Sequence, residues 1–418
     1  MSEGRVLAAV TAVSVVVALA TGSQVVLRVS YVLIGVLVLT GILAWNAVRS
    51  VDLSRTTRSR RAQVGGIAEE TFAVRNRGWL PKLWLEVADD SDLPGHRASR
   101  VVSAMAPGER RTWGVRTLCR QRGAFTLGPV TLAGGDPLGM FRREVVLAKT
   151  ATFVVYPMTV PLTGLQLASG YLSGGPVVRR RAEYATANVR GVRQYQPGDA
   201  YKRIHWPTTA RRGKLYVKEF EFDPLADIWI VVDLDRNAHR GEAPPEPSLD
   251  SEGPLPWMDT PPLELTPTTE EYSVAAAASL ARHFLDEGKS VGLIAHGQRR
   301  VVLRPDRGER QVNKILGHLA VLRARGRAGL AEVLASDGRE LPRHATLAVV
   351  TPTTTLRWID ALRELKARGV WSFVILVEAS TFGGAAGSSL GPIAALAARG
   401  IPTRIVKCND DLAAALVG

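Results

Sequence analysis

The chain has 418 residues, a formal net charge of +14 at pH 7 and 46% hydrophobic residues. This length accommodates two or three domains of ordinary size, and the apolar fraction is enough for sizeable cores. Only Cys119 and Cys408 occur as cysteines, far apart and without a CxxC or Cys/His cluster, which argues against a disulfide framework and a zinc site. The basic charge is scattered and accompanies no nucleic-acid-binding module, so we expect no nucleic acid partner.

Two uncharged stretches occupy the N-terminus, from 6 to 27 and from 29 to 48. Each is long enough to cross the hydrocarbon core as a helix, which takes about 20 residues. We therefore predict a transmembrane helical hairpin over residues 1–48. A signal peptide cleaved after the "ALA" at 18–20 is the alternative for the first stretch, although Glu3 reduces the positive charge that precedes its apolar region.

The charges that follow the second stretch indicate its orientation. Residues 49–64 read as a basic juxtamembrane linker, in which five arginines stand against the single acidic residue Asp52. Between the spans only Arg28 is charged. Because Lys and Arg are enriched on the cytoplasmic side, we expect a protein of the cell membrane with two spans and the bulk of the chain in the cytoplasm.

Residues 65–160 have the pattern of a β-sandwich domain. Apolar or alternating runs such as "TFAVRNRG", "LWLEVADD" and "ATFVVYP" recur there. Gly, Pro and Asn punctuate them at intervals of roughly ten to twenty residues, and no helical period is sustained. This pattern is typical of two antiparallel sheets packed face to face.

Residues 161–225 form a loop-rich bridge, and the rhythm changes over residues 226–418. Apolar runs such as "DIWIVVDL" and "ATLAVVT" alternate there with helical stretches such as "EEYSVAAAASLARHFLDEG". Strands buried on both faces and separated by helices predict a doubly wound, Rossmann-like α/β domain with a largely parallel sheet.

An unusual insert, residues 241–268, follows the first strand of this domain. It holds eight prolines and six acidic residues but no Lys or Arg. Such a stretch buries too little apolar surface to fold alone, and proline blocks helix formation, so we predict a disordered loop. An acidic lid or docking segment beside the strand ends is the alternative.

Asp233 stands at the end of that first strand, and Asp235 and Asn237 follow at alternate positions. Open α/β sheets bind ligands at the carboxyl ends of their strands. The segment "DLDRNAH" resembles the metal-ion-dependent adhesion motif Asp-x-Ser-x-Ser of von Willebrand factor A-type domains, with Asp235 and Asn237 in place of the serines. The resemblance implies a von Willebrand factor A-like fold and Mg²⁺ or another divalent cation on Asp233, Asp235 and Asn237, whose oxygen atoms suit such ions.

The rest of that motif is degenerate in this chain. The family usually adds a Thr from a middle loop and an Asp after a later strand, whereas "ATLAVVT" is followed by "PTTT" without a carboxylate. Four hydroxyls remain as candidate ligands there, those of Thr351, Thr353, Thr354 and Thr355. The alternative is a turn in which Asp233 and Asp235 cap the following backbone.

A longer segment, residues 191–221, reads "GVRQYQPGDAYKRIHWPTTARRGKLYVKEFE". It is similar to the signature of the membrane proteins known as domain of unknown function 58 (DUF58), approximately Gly-x-Arg-x-Tyr-x-x-Gly-Asp-x-x-Arg-x-Ile-x-Trp. The run "RGAFTLGPVTLAGGDPLGMF" at 122–141 resembles a second stretch of the same family. The family layout of two spans, a β-domain and a von Willebrand factor A-like domain then extends over essentially the whole chain.

The signature segment supplies a second set of candidate site residues: Arg193, Tyr195, Asp199, Arg203, Trp206 and Arg211. One interpretation is a structural network in which the arginines bind Asp199 bidentately and Trp206 supplies buried area. The other is a docking surface for an acidic partner, with Arg and Trp as energetic anchors. Catalysis by Asp199 and His205 lacks a nucleophile in a recognised motif, and no Walker A, GxGxxG or GxSxG sequence occurs, so we expect no enzyme.

These patterns favour a membrane-anchored cytoplasmic protein-interaction scaffold that uses a divalent cation. The family resemblance implies a MoxR-type AAA ATPase and a transglutaminase-like membrane protein as partners, in assembly or maturation of envelope complexes at a bacterial inner membrane. Two alternatives stay open. One is a metal-dependent hydrolase that uses Asp233 and Asp235, and the other is a sensor of anionic lipid built on the arginines of residues 49–61.

Overall fold

The computed structural model describes residues 2–147, 150–165, 189–196, 201, 204–220, 227–241, 265–383 and 387–418. They form two compact units, the first built mainly from residues 1–158 and the second mainly from residues 159–418. Most of the acidic, proline-rich insert predicted at 241–268 lies outside the described residues, as do Asp199 and Arg203 of the signature segment.

The first unit begins with two antiparallel apolar helices, α1 (Ser2–Thr21) and α2 (Gln24–Ala47). Both are long and apolar enough to cross a membrane, with mean hydropathies of 1.9 and 2.3 over the candidate spans. Many of their large apolar side chains are exposed, and such a surface needs an apolar environment. The turn between them lies at Gly22, whose φ of +64° ends α1. Arg28 therefore falls within the first turns of α2 and not between the helices, because the chain reverses at this glycine.

Ten strands follow the helices: β1 (Val51–Thr57), β2 (Arg61–Gln63), β3 (Ile67–Asn76), β4 (Lys82–Asp89), β5 (Arg100–Met105), β6 (Arg110–Leu118), β7 (Gly123–Leu127), β8 (Val130–Gly135), β9 (Arg142–Leu147) and β10 (Ala151–Tyr156). They form three sheets with the orders β1-β3-β6, β5-β4-β8-β9 and β2-β10-β7. Side chains from the first two sheets meet in one core around Phe72, Leu85, Trp113 and Leu132. This β-rich region has the layered arrangement that the alternating pattern predicts.

The region predicted as a basic linker, residues 49–64, instead contributes β1 and β2 to these sheets. Leu53 is buried in the shared core. Arg55 forms an internal ion pair with the buried Glu70, and its Nη2 atom lies 2.6 Å from Oε2 of that residue. The basic residues of this stretch therefore serve partly as structural charges, and the β-rich region begins at Val51.

The second unit contains a six-stranded sheet made of β13 (Ile228–Val232), β14 (Val291–His296), β15 (Arg300–Asp306), β16 (Thr346–Thr351), β17 (Trp371–Val377) and β18 (Thr403–Val406). The strand order is β15-β14-β13-β16-β17-β18, and all neighbours are parallel except β14 and β15. Every residue of β13 and β16 is buried. These continuous apolar runs form strands because both faces of the sheet are covered.

Described helices that lie wholly or mainly in this unit include α3 (Trp206–Arg212), α4 (Thr269–Asp286), α5 (Glu309–Val321), α6 (Leu330–Ser336), α7 (Arg357–Ala367), α8 (Leu390–Ala398) and α9 (Leu412–Val417). Apolar side chains of α6, α7 and α8 share one core with Trp229 and Val231 of β13. The alternate β13 residues Ile228, Ile230 and Val232 are buried outside that core, and α4 contacts β13, β14, β16 and β17. The sheet is therefore covered on both faces, as the α/β rhythm predicts.

The signature segment contributes a separate antiparallel pair, β11 (Val189–Gln194) and β12 (Tyr216–Phe220). Between these strands lies α3, with His205 at its N-cap and Gly213 in the left-handed conformation at its C-cap. The sequence patterns did not predict this helix. Its polar composition and short length give no sustained helical period.

Candidate functional site

Asp233 follows the last residue of β13, at the point where the direction of strand succession reverses. The chain runs from β13 to β14 on one side, and later returns to β16 on the other side of β13. In doubly wound sheets, the crevice beyond the carboxyl ends of the two strands at such a reversal is where ligands bind. The fold therefore places Asp233 where the sequence analysis expects a site.

Asp233 is joined to the end of β16 through its side chain. Its Oδ2 atom accepts a hydrogen bond from the hydroxyl of Thr351 at 2.6 Å. The Thr351 hydroxyl in turn accepts from the backbone N–H of Thr353 at 3.0 Å, which fixes its orientation. The other carboxyl oxygen, Oδ1, accepts from the backbone N–H of Asp235 at 3.1 Å. The carboxyl group is thus held on both sides by neutral donors.

The surroundings of Asp233 oppose its ionisation. Burial raises the pKa of this carboxyl above its ordinary value, although the hydrogen bond from Thr351 and the charge of His239 favour the ionised form. His239 donates from Nε2 to the main-chain carbonyl of Asp233 at 2.8 Å, so its ring lies beside the group. A cation at this position would favour the ionised carboxylate.

The two following candidates form a tight turn. Asp235 Oδ1 accepts from the backbone N–H of Asn237 at 3.1 Å and from its side-chain amide at 3.2 Å. The turn is fixed against Gly326, which donates its N–H to the carbonyl of Leu234. A Cβ at position 326 would overlap the carbonyl of His296, so only glycine fits this close approach. The acidic residues therefore have the capping role in this turn, and their role as ligands stays a prediction.

A cavity of about 600 Å³ opens beside this turn. Asp235, Asn237 and Arg240 line one part of it, and Thr353 and Arg357 line another. The buried Asp233 and Thr351 lie behind these residues and do not line the cavity. Charges of both signs and hydroxyl groups face the same space, which suits a polar ligand or a polar side chain of a partner.

The donors here are all oxygen atoms, which Mg²⁺ and Ca²⁺ prefer. An ionised carboxylate has about four lone-pair positions, and only two of those on Asp233 are used within the described part of the chain. No group of three or more Asp, Glu, His or Cys side chains converges to hold a metal among the described residues. Asp233, Asp235 and Asn237 therefore stay predicted ligands, and they supply two carboxylates and one amide, not a cluster of three acidic side chains.

Four of the six candidates in the signature segment are described, and they lie near α3. Arg193 belongs to β11, and Tyr195 follows that strand with its ring stacked on Tyr201 at a centroid distance of 6.1 Å. Trp206 opens α3 and is 66% exposed, so it does not supply the buried area that the network interpretation expects. The ring is exposed because the short helix presents its first residue to solvent. Arg211, in the last turn of α3, is also exposed.

His205, the histidine considered above for catalysis, has a structural role in the described residues. Its Nδ1 atom accepts from the backbone N–H of Thr208 at 3.3 Å and caps the N-terminus of α3. The residues that the sequence analysis missed at the sheet are His239 and Gly326. Neither carries a pattern in the sequence, because their contacts join segments that are distant along the chain.

Solved structures that resemble this chain do so at low similarity. Proximal thread matrix protein 1 from the mussel byssus is 14% identical, with a TM-score of 0.29 and coverage of 46% of each chain. The CARDB domain of a Pyrococcus furiosus protein, solved with di-metal ions, is 15% identical with a TM-score of 0.19, over 25% of this chain and 91% of that one. Because both TM-scores lie below 0.5, we derive neither fold nor function from these structures.

Sequence comparison gives a relationship over most of the chain. The protein is 22% identical over 329 residues to the uncharacterized protein YeaD of Bacillus subtilis strain 168, covering 75% of this chain and 73% of YeaD. The matched family model covers the signature segment, β13 and the turn that carries Asp233, Asp235 and Asn237. Residues 191–244 match the family described as "Protein of unknown function DUF58".

Proposed function

We propose that this protein is a membrane-anchored scaffold that binds a protein partner at the carboxyl edge of its parallel sheet with the help of a divalent cation. The observation that carries this proposal is the junction of Asp233 and Thr351 at the reversal of strand order, beside a cavity of about 600 Å³. A rigid edge of parallel strands holds these groups in place while the loops remain available to a partner.

The proposed cation is Mg²⁺ or a similar hard ion, held by Asp233, Asp235 and Asn237. This assignment is supported by the oxygen-only donor set and by a second carboxyl group, that of Asp235, two residues after the buried Asp233. The resemblance to von Willebrand factor A-type domains agrees with it, since their adhesion motif also follows the first strand. A bound ion with open positions would accept a carboxylate from the partner.

A second part of the proposed docking surface is the face around α3. Trp206 is 66% exposed and Tyr201 is 73% exposed, and Arg211 and Arg212 are exposed on the same short helix. Exposed aromatic rings next to arginines are the composition of interface hot spots. The basic charge favours an acidic partner, which is one of the two interpretations of the signature segment given above.

The partners that we propose are those implied by the DUF58 resemblance, a MoxR-type AAA ATPase and a transglutaminase-like membrane protein. The complex would serve assembly or maturation of envelope components. The N-terminal helices would anchor the scaffold in the cell membrane, and the excess of arginine after α2 supports a cytoplasmic location of both folded units.

Binding of the full-length protein to its partner tests the proposal. We would embed the protein in lipid nanodiscs, immobilise it, and measure binding of the purified MoxR-type ATPase from the same organism by interferometry. Asp233→Asn removes the negative charge with little change in shape, and we expect at least a tenfold loss of affinity, about 1.4 kcal/mol.

Asp286→Asn is the matched control, because Asp286 is an exposed carboxylate at the end of α4 that pairs with Arg282 and does not line the cavity. It should bind like the wild type. The proposal is contradicted if the wild-type protein does not bind the ATPase, or if Asp233→Asn and Asp286→Asn bind equally well.

A further inference from the structure

We propose that two loops at one end of the β-rich region, residues 77–81 and 136–141, insert into the lipid–water interface and seat that region on the membrane. The surface carries the exposed apolar side chains of Trp79 and Leu138. Its partner is the interfacial layer of the same bilayer that holds α1 and α2. This surface is separate from the residues assigned to partner binding, and it would contact lipid through apolar side chains, not through the arginines that follow α2.

Strand register places both loops at the end of the β-rich region where α2 finishes. Only three residues separate Ala47, the end of α2, from Val51, and Val51 pairs with Asn76 just before the first loop. The backbone N–H of Arg77 donates to the carbonyl of Ser50 at 2.8 Å. Loop 77–81 therefore lies beside the residues that connect α2 to β1.

Loop 136–141 lies at the same end. It joins Gly135 to Arg142, which are partners in the β8–β9 register, and Gly134 is so close to α2 that an added Cβ would lie 2.9 Å from Cβ of Ala47. The loop also meets the N-terminus of α1, since a Cβ on Gly4 would lie 2.9 Å from the carbonyl oxygen of Met140. Both helix ends thus adjoin this loop.

A buried lysine fixes α2 to the strands that carry these loops. The Lys82 side chain is 1% exposed and donates from Nζ to the carbonyls of Asn46 and Arg49, the latter at 2.8 Å. These are carbonyls at the C-terminal end of α2, where a positive charge is favourable. Because β4 begins at Lys82, the depth of loop 77–81 relative to the bilayer follows from the depth of the C-terminal end of α2.

The length of α2 determines the depth at which its C-terminal end lies in the bilayer. The 24 residues of α2 span about 36 Å, which exceeds the hydrocarbon core of about 30 Å, so the last turn of α2 lies at the interface. Two large apolar side chains of these loops are exposed at this level: Trp79 is 82% exposed and Leu138 is 56% exposed. The exposed Arg77 beside them is paired with Asp52. Tryptophan is enriched at this depth of a membrane because its ring is amphipathic.

Nitroxide labels on the full-length protein in nanodiscs of phosphatidylethanolamine and phosphatidylglycerol test this proposal. Cys119 is buried, so Cys408→Ser gives a background in which new cysteines are labelled selectively. Labels would be placed at Trp79→Cys and Leu138→Cys. Val38→Cys in α2 is the reference within the bilayer, and Asp90→Cys, just beyond β4 at the opposite end of the sheet, is the aqueous reference.

Power saturation by oxygen and by a water-soluble nickel complex gives the depth of each label. We expect the oxygen-to-nickel accessibility ratio at positions 79 and 138 to lie between the ratio at position 90 and the ratio at position 38. A buried Cys119 that stays unreactive towards a thiol reagent identifies each variant as folded. If the label at 79 or at 138 gives the ratio found at 90, the loop does not enter the interface and the proposal is wrong.

Discussion

The hydroxyl of Thr351 lies 2.6 Å from Oδ2 of Asp233, although 118 positions separate the two residues in sequence. Each stands at the carboxyl end of its own strand, and β13 and β16 are adjacent and parallel. Their hydrogen bond therefore joins the carboxyl ends of β13 and β16, next to the site that we propose for the cation and the partner.

Loss of this hydrogen bond should destabilise the second unit. Thr351→Val keeps the shape of the side chain but leaves the buried Asp233 carboxyl without its donor, which costs about 1–3 kcal/mol. Thr351→Ser retains the hydroxyl and serves as the control. Thermal unfolding followed by intrinsic fluorescence should give a lower midpoint for Thr351→Val than for Thr351→Ser. Equal midpoints would show that the hydroxyl does not support Asp233.

The raised pKa of Asp233 predicts how stability depends on pH without added cation. The folded protein keeps the proton to a higher pH than the unfolded chain does, so this group stabilises the fold below its unfolded pKa of about 4. That contribution is lost as the pH rises through the folded pKa. Melting temperatures measured from pH 4 upwards should include this decrease in the wild type and lack it in Asp233→Asn. Parallel profiles would contradict the prediction.

The β-rich region contains an internal charge network whose loss should be costly. Arg55 contacts Glu70 at 2.6 Å and Asp89 at 3.1 Å, and the carboxylates are almost fully buried. Arg55→Met leaves both without this cation, which should cost about 3–5 kcal/mol. Arg58→Met removes an exposed cation that pairs with the half-buried Glu69 and should cost at most about 1 kcal/mol. The thermal midpoints of the two variants check the difference, and equal shifts would contradict it.

Asp89 adds a pH dependence to the same network. Burial opposes its ionisation, but hydrogen bonds from His96 and Ser91 and the charge of Arg55 outweigh burial and hold the pKa of Asp89 below its ordinary value. Its stabilising contribution is present above the unfolded pKa and is lost as the pH falls through the folded pKa. The difference in melting temperature between Arg55→Met and the wild type should therefore shrink towards acid pH.

Lys82 should be required for the attachment of α2 to β4. Lys82→Met leaves the carbonyls of Asn46 and Arg49 without this donor in a buried place, at a cost of about 1–3 kcal/mol. Burial lowers the pKa of Lys82, so the wild type gains stability as the pH rises from the folded pKa towards the unfolded one. Lys82→Met should lose that gain and melt at a lower temperature. The exposed Lys314→Met is the control, and identical melting of both variants would contradict this role.

Patterns in the sequence predicted the elements that are long and uniformly apolar. The two N-terminal helices, the β-rich region and the parallel strands around Asp233 are all found. The position of Asp233 followed from the end of an apolar run, and the hydroxyl of Thr351 was among the ligands considered. Such features are local, so the sequence carries them directly.

Features that depend on tertiary contacts were missed. Strand β15 combines charged and apolar residues at the edge of the sheet, and it follows β14 without a helix between them. The residues of β1 were assigned to a linker because their arginines were interpreted as exposed. The buried partner of Arg55 is Glu70, which lies 15 residues further along the chain, so the sequence pattern does not show the pair. The exposure of Trp206 could not be predicted either, since a ring of that size is expected inside.

Isothermal titration of the full-length protein in nanodiscs with Mg²⁺, Mn²⁺ and Ca²⁺ tests the proposed cation site most directly. We predict saturable binding of one ion by the wild type and by Asp286→Asn, and loss of that binding in Asp233→Asn. If none of the three ions binds the wild-type protein, or if Asp233→Asn binds as tightly as the wild type, the site at the end of β13 does not hold a cation.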